Sequence, residues 1–164
     1  MSVELVTEST PEVVEAMGRL IPQLSRSAPP LDAAGARRFL SQGCVHLFVF
    51  RPDTDEGGTG TSVTGTAGGD APQGRPILGM LSLVVFEIPT GVRAWVEDVV
   101  VDAAARGQGA GQALVGAALA HADALGARTV DLTSRPTREA ANRLYRRCGF
   151  EQRETNVYRF ALGD

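Results

Sequence analysis

A strand that passes through a glycine-rich turn into a helix constrains this chain more than any other feature. The strand ends in Val99-Val100-Val101, and a run this apolar is typical of a strand buried on both sides. The loop Arg106–Gly111 follows, and it opens directly into an amphipathic helix. The free N–H groups and positive dipole end of such a helix attract anions, and glycines let a phosphate approach the backbone. The segment therefore predicts a phosphate or pyrophosphate site.

The spacing of the glycines narrows the choice of phosphate ligand. A Walker loop needs a Lys-Ser or Lys-Thr pair after its last glycine, and the chain has no such pair. A dinucleotide fingerprint needs a third glycine where Gln112 stands, counting from Gly107 and Gly109. The acidic residue expected about twenty positions later has no convincing counterpart. Neither of these two sites is predicted.

Strands and helices alternate on both sides of this loop. Helices are predicted from Pro11, behind an N-cap at Thr10, to a kink or end near Pro22, and over Asp32–Gln42, Gly111–Leu125 and Thr137–Cys148, the last capped by Gly149. Strands are predicted over Val3–Glu8, Val45–Phe50, Ile77–Phe86, Arg93–Val101, Arg128–Thr133 and Thr155–Leu162. This order predicts a layered α/β or α+β domain, with a mixed sheet flanked by helices.

The length and charge of the chain limit its organisation and partners. Its 164 residues fit one domain, 1–164. Residues 53–74, dense in Gly, Thr, Asp and Ser, are predicted to form a flexible loop within it, either an insertion at a hairpin tip or a functional lid. A net charge of −3 argues against sequence-independent nucleic-acid binding. No apolar run is long enough for a membrane span and no secretory signal opens the sequence, so we expect a cytoplasmic protein.

The cysteines and histidines do not suggest a metal site or a covalent mechanism. Cys44 and Cys148 lack a CxxC spacing, and both are interpreted as buried apolar residues. His121 falls outside the apolar stripe of its helix and is expected to be exposed, and His46 is assigned no role. No cluster has metal-ligand spacing and no GxSxG elbow occurs, so no metal is predicted.

Two motifs together carry a resemblance to a known family. The loop fits Arg-x-x-Gly-x-Gly at Arg106, Gly109 and Gly111, and a later helix reads A-N-R-L-Y-R-R-C-G-F from Ala141 to Phe150. In this order, separated by a helix and a strand, they resemble the signatures of the GNAT superfamily, the general N-acetyltransferases. The resemblance covers roughly residues 77–162. It implies a mainly antiparallel, twisted mixed sheet and acetyl-coenzyme A as co-substrate.

The resemblance also implies roles for residues of the donor site. Backbone amides of the loop would cradle the pyrophosphate, and the amides of the valine run would hold the pantetheine arm. These cofactor-binding residues are Val99, Val100, Val101, Arg106, Gly107, Gln108, Gly109, Ala110 and Gly111. Tyr145 matches a tyrosine near the coenzyme A sulfur and would donate a proton to the thiolate, although its spacing also suits a core tyrosine. Asn142 would contact the cofactor arm or, equally, be a capped or solvated amide.

Glu97 and Asp98 resemble a Glu-Asp pair of polyamine-type members of the superfamily. Adjacent strand residues point to opposite faces unless a bulge intervenes. Glu97 is the candidate base, acting through water on an ammonium group, and Asp98 is the candidate acceptor-binding residue. The alternative for the carboxylate is an ion pair with an arginine at the edge of a strand.

These residues favour one activity and leave two alternatives open. The first hypothesis is transfer of an acetyl group from acetyl-coenzyme A to a primary amine by direct attack in a ternary complex. The acceptor is a small molecule, a peptide, or a protein lysine or N-terminus. A non-catalytic coenzyme A sensor or interaction module is the second hypothesis, and a generic nucleotide-phosphate binder is the third. We expect a monomer or homodimer without nucleic-acid or membrane partners.

Overall fold

A computed structural model of the chain describes residues 1–25, 28–53 and 75–162. The chain divides into two compact units, Met1–Thr133 and Ser134–Asp164, and each is described by itself. The flexible loop expected over 53–74 lies, apart from Asp53, outside the described residues. A single domain over 1–164 therefore stays a prediction.

Within its described residues, the first unit is built on a five-stranded sheet. Its strands are β1 (Ser2–Val6), β2 (Val45–Arg51), β3 (Gly79–Ile88), β4 (Gly91–Val101) and β5 (Val130–Asp131). They lie in the order β1-β2-β3-β4-β5; the first three pairings are antiparallel and β4 pairs with β5 in parallel. The predicted mixed, mainly antiparallel sheet flanked by helices is confirmed.

Three helices and one 3-10 turn complete the described part of this unit. They are α1 (Pro11–Leu24), α2 (Ala33–Leu40), the 3-10 turn Ala103–Ala105 and α3 (Ala110–Ala124). The Thr10 hydroxyl accepts from the Val13 N–H at 3.3 Å, as the N-cap prediction requires. The predicted end of the helix near Pro22 is confirmed, because α1 ends two residues later, at Leu24. In the last turn Pro22 removes only its own N–H from the helix, and the Ser25 N–H still reaches the Ile21 carbonyl.

The sheet has a different helical partner on each face. One face, which we call the α1 face, is the core against α1 and α2. Its buried sheet residues are Leu47, Val49, Met80 and Val100, and its helix residues are Val13, Ala16, Met17, Leu20 and Ala36. The opposite face, the α3 face, carries His46, Phe48, Phe50 and Leu83. The alternation along β2 thus assigns consecutive residues to two separate layers.

A glycine in β3 sets how closely α3 approaches the sheet. A Cβ at Gly79 would lie 3.2 Å from the Leu114 side chain and 3.2 Å from the Val100 carbonyl oxygen. The absence of a side chain therefore lets α3 pack directly on the backbone of the strand. The N-terminus of α3 is placed by this contact.

A histidine pair joins α3 to β2. Nε2 of His121 and Nδ1 of His46 are 3.1 Å apart, and the His121 ring packs edge-on against Phe48 with centroids 5.5 Å apart. The prediction that His121 is exposed is wrong, because the α3 face of the sheet half-buries this side chain. Burial, with a smaller contribution from His121, lowers the pKa of His46.

The second unit contains α4 (Glu139–Arg147) and the segment that follows it. Gly149 has a φ of +90° and ends the helix, as predicted. The predicted strand Thr155–Leu162 is wrong: residues 150–162 form neither helix nor strand, and Val157, Tyr158, Phe160 and Leu162 are exposed. Alternation of side chains specifies two faces, but a strand also needs a hydrogen-bonded neighbour.

The cysteines differ from the sequence interpretation in part. Both are free; Cys44 is exposed immediately before β2, so the prediction that it is buried is wrong. Cys148 is half-buried after α4, and burial raises the pKa of its thiol while Arg147 opposes the rise.

Candidate active site

A β-bulge in β4 shapes the strand that precedes the glycine-rich loop. Ser82 of β3 is opposite Glu97 and Met80 is opposite Val100, so two β4 residues, 98 and 99, face the single residue between them. Asp98 has a φ of +51°, the left-handed conformation that Asp tolerates better than most residues. Bulges of this kind re-aim side chains and are frequent beside functional sites.

The bulge gives the two neighbouring carboxylates different positions on the strand. Glu97 belongs to the regular ladder and points to the α1 face, opposite the buried hydroxyl of Ser82. Asp98 lies in the bulge itself, and both side chains are exposed. The bulge that the sequence left open is therefore present.

Glu97 has an indole partner on its own strand. Nε1 of Trp95 donates a hydrogen bond to Oε1 of Glu97 at 2.9 Å. Trp95 and Glu97 are two residues apart, so both side chains lie on the α1 face. Among the described residues Glu97 makes no ion pair, in contrast to the alternative considered from the sequence. The carboxylate is oriented by a neutral donor and is open to solvent.

The loop after β4 is left-handed at two of its glycines, Gly107 and Gly109, whereas Gly111 already lies in α3. Gly107 has a φ of +80° and Gly109, the N-cap of α3, has a φ of +78°. Apart from the adjoining residues, no atom of the described chain lies within 4 Å of a Cβ built on either glycine, so backbone conformation rather than crowding selects the residue. The Gln108 side chain folds back and donates to the Ala104 carbonyl at 3.0 Å. The loop surface is left to backbone groups.

Several N–H groups of this loop have no acceptor within the described ranges 1–25, 28–53 and 75–162. They belong to Gly107, Gly109, Ala110 and Gly111. The first amide of α3 with a backbone partner is that of Ala113, which donates to the Gly109 carbonyl at 2.9 Å. A helix N-terminus with free amides and an exposed glycine approach fits a phosphate group. This arrangement agrees with the cradle expected over 106–111.

The valine run leads from the bulge into this loop. Val99 lies in the bulge, Val100 is buried in the α1-face core and Val101 pairs with Gly79 on the α3 face. The Asp102 N–H donates to the Leu78 carbonyl at 2.8 Å, which continues the pairing to the start of the loop. The expected cofactor-binding residues from Val99 to Gly111 thus form one continuous stretch.

Tyr145 and Asn142 lie on α4 in the second unit. The Tyr145 ring is half-buried and packs against Phe150, with centroids 5.9 Å apart and planes at 66°. Nδ2 of Asn142 donates to the Arg135 carbonyl at 3.0 Å. This hydrogen bond is the one that the capped-amide alternative predicts for Asn142.

Three residues of this region were missed from the sequence: Trp95, Arg19 and Asp102. The alternation of β4 places Trp95 beside Glu97, and that signal was available. An Asp side chain commonly accepts a hydrogen bond from the backbone N–H two residues later, so the sequence could have indicated Asp102 as a cap for Ala104. Arg19 comes from a distant helix and gave no sequence signal.

The profile of the GNAT acetyltransferase family matches residues 35–150. The match spans the loop, α3 and α4. The chain belongs to the GNAT acetyltransferase family. The family was inferred correctly from the two motifs, and its acetyltransferases use acetyl-coenzyme A as acyl donor.

Solved structures of GNAT acetyltransferases share this fold. An aminoglycoside acetyltransferase from an uncultured soil metagenomic sample, solved with trehalose, has a TM-score of 0.76 at 18% identity, covering 99% of this chain and 96% of its own. A Trypanosoma brucei acetyltransferase has a TM-score of 0.68 at 24% identity, covering 98% and 100%. The ribosomal-protein-alanine N-acetyltransferase of Brucella melitensis has a TM-score of 0.70 at 15% identity, covering 99% and 100%. No curated protein matches the chain.

Membrane-spanning helices and metal-binding clusters are both absent from the described residues of this GNAT protein. No helix in the described part of the chain is long and apolar enough to cross a bilayer. Across the same residues, no three His, Cys, Asp or Glu side chains come together in a way that would hold a metal ion.

Proposed function

We propose that this protein transfers the acetyl group of acetyl-coenzyme A to a primary amine, by direct attack of the amine within a ternary complex. The acceptor class is a small molecule, a peptide, or a protein lysine or N-terminus. Support comes from the family, from the loop and from the residues near the bulge. We place the protein in the cytoplasm on sequence grounds alone.

The free amides of the loop carry this proposal. Gly107, Gly109, Ala110 and Gly111 present N–H groups with no protein acceptor among the described residues, at the positive end of α3. Such groups fit the pyrophosphate of coenzyme A. Arg106 is exposed at the entrance to the loop and adds a positive charge there. When bound, acetyl-coenzyme A supplies an activated acyl thioester.

The bulge and the valine run are assigned to the pantetheine arm. A bulge leaves one residue outside the regular ladder, so backbone groups near Asp98 and Val99 are available to a ligand. An N–H aimed at the position where negative charge develops is worth roughly 3 kcal/mol in a low-dielectric site. We assign this donor role to the backbone around Val99 to Val101.

Glu97 is assigned the role of general base. An alkyl ammonium with a pKa near 10 must lose a proton before it attacks, and an exposed carboxylate can accept that proton through water. The Trp95 indole supports this role because it orients the carboxylate without neutralising it. Asp98, exposed in the bulge beside Glu97, is assigned to acceptor binding.

Tyr145 is assigned the role of general acid. A phenol donates a proton to the departing thiolate without prior ionisation. The edge-on contact with Phe150 fixes the ring on one side. Asn142 is the least supported cofactor contact, because its amide N–H already serves carbonyls of the preceding loop.

The first test is calorimetric titration of the folded protein with acetyl-coenzyme A, with ATP and NAD as controls. Selective binding of acetyl-coenzyme A supports the donor site and justifies a panel of amine acceptors. Binding without transfer to any amine favours the sensor alternative. Equal binding of ATP or NAD, or no binding to a folded protein, overturns the proposal.

A further inference from the structure

A side-chain junction links α1 to the beginning of the glycine-rich loop. Its members are Arg19 and Gln23 of α1, Asp102 at the end of β4 and the N–H of Ala104. All four belong to the first unit. We call this group the Asp102 junction. None of its members takes part in the proposed chemistry.

The two oxygens of Asp102 serve different elements. Oδ1 accepts from the Ala104 N–H at 3.0 Å and caps the 3-10 turn that opens the loop. Oδ2 accepts from Nη1 of Arg19 and from Nε2 of Gln23, each at 3.2 Å. One carboxylate therefore fixes the loop and the helix at the same time.

Arg19 extends the junction to the chain entering β3. Its Nη2 donates to the Ile77 carbonyl at 2.8 Å, while Nη1 is on Asp102. A planar guanidinium holds two such partners in a fixed geometry, which a lysine cannot do. The same helix covers the face to which Glu97 points.

The three hydrogen bonds to Asp102 favour the ionised form of its carboxyl group. The Ala104 N–H, together with Gln23 and Arg19, holds the pKa of the Asp102 carboxyl below its usual value. The ionised carboxylate is the form that accepts all three hydrogen bonds. Most of the Asp102 side chain is covered, whereas Arg19 is 41% exposed.

We infer that Asp102 is a positioning residue that sets the conformation of the anion-binding loop from α1. The capped turn 103–105 directly precedes Gly107 and Gly109, so a change at α1 reaches the loop through one carboxylate. Insofar as the loop binds coenzyme A, this inference rests on the proposed function. Substitutions at α1 residues that do not contact coenzyme A are therefore expected to change its affinity.

Asp102→Asn separates the two halves of the junction. The amide oxygen still accepts from Ala104, but an NH2 group now faces the donors of Arg19 and Gln23. Arg19→Gln removes the same link from the helix side, and Arg19→Lys keeps the charge without the fork. Arg143→Gln is the matched control, because it breaks an exposed Arg–Glu pair in the second unit.

The experiment measures amide hydrogen exchange at residues 104–106, where the 3-10 turn joins the loop, and, in parallel, the Kd for coenzyme A. Exchange at these residues is called loop exchange below. We expect Asp102→Asn and Arg19→Gln each to speed loop exchange and raise Kd by roughly threefold to tenfold, the size of a partly exposed charged contact. Arg19→Lys should rescue part of the loss. The central amides of α3 and those of β3 should exchange as in the unchanged protein.

Several results would overturn the inference. Loop exchange equal to that of Arg143→Gln would show that α1 does not set the loop. Faster exchange throughout the unit would show a general loss of stability instead of positioning. If the unchanged protein fails to bind coenzyme A, the proposed function fails, but the exchange measurement still decides whether the junction holds the loop.

Discussion

The indole nitrogen of Trp95 lies 2.9 Å from the carboxylate of Glu97, two residues along the same strand. Because β4 is regular up to this point, both side chains project from the α1 face next to the bulge. A neutral donor holds the carboxylate in one rotamer and leaves its second oxygen accessible. This contact gives the proposed base a defined orientation.

Replacing Glu97 tests the proposed base. We expect Glu97→Gln to lower kcat/KM about 100-fold, a usual contribution of a general base, with little change in coenzyme A binding. Trp95→Phe removes the indole donor together with its five-membered ring and should cost roughly threefold. Steady-state kinetics at several pH values would measure both decreases in kcat/KM. Glu151→Gln is the control, because Glu151 is an exposed carboxylate of the second unit. Unchanged kcat/KM in Glu97→Gln would exclude the base role.

Two glycines at opposite ends of α3 provide a test position in the loop and a matched control outside it. Gly109 and Gly126 both have a φ of +78°, and an added methyl group at either would have no described atom within 4 Å beyond those of the adjoining residues. Each change to Ala should therefore cost about 1 kcal/mol of unfolding free energy, the strain of a left-handed alanine. Only Gly109→Ala should weaken coenzyme A binding in calorimetry. Equal affinities in the two variants would contradict the cradle.

The two tyrosines of the chain allow a test of the proposed acid. Tyr145→Phe keeps the edge-on packing with Phe150 and removes only the hydroxyl. We expect kcat to fall by roughly tenfold or more, with KM for acetyl-coenzyme A nearly constant. Tyr158→Phe, whose ring is 88% exposed, should have no effect on kcat. A full rate in Tyr145→Phe would leave this side chain a packing role only.

The His46–His121 pair predicts that stability depends on pH. Burial, then the proximity of His121, lowers the pKa of His46 in the folded state below its ordinary 6.5. The unfolded chain then binds the proton more tightly, so the stability contributed by His46 is present above pH 6.5 and is lost as the pH falls through the folded pKa. Denaturant unfolding from about pH 8 to about pH 5 should show this decrease. His46→Gln should make the decrease smaller, and an NMR-measured pKa of His46 at or above 6.5 would refute it.

The features predicted correctly from the sequence were local ones. Thr10 and Gly149 each act through the backbone of a neighbouring turn, so their residue types are sufficient evidence. The family motifs are also short stretches of contiguous chain. Local chemistry therefore indicated the loop, the ends of the helices and the family.

Apart from Trp95 and the local cap by Asp102, the features that were missed or left open depend on pairing between distant segments. The bulge at Asp98 follows from the register of β4 on β3, and the position of His121 follows from which side of α3 meets β2. Arg19 and Asp102 are 83 residues apart, beyond any periodic signal. The alternation over Thr155–Leu162 is a genuine pattern, but a pattern does not supply a neighbouring strand.

The extra residue in β4 changes the backbone of this strand without changing the face on which the following residues lie. Glu97 and Val100 share a face although three positions separate them, because residues 98 and 99 together occupy one step of the ladder. Deleting one of them would restore a regular ladder, in which Val100 would still lie on the α1 face opposite Met80 and the loop would begin from the same side of the sheet. Such a deletion would therefore spare the core and the start of the loop, and it would remove the irregular backbone near Asp98 and Val99 to which the pantetheine arm is assigned.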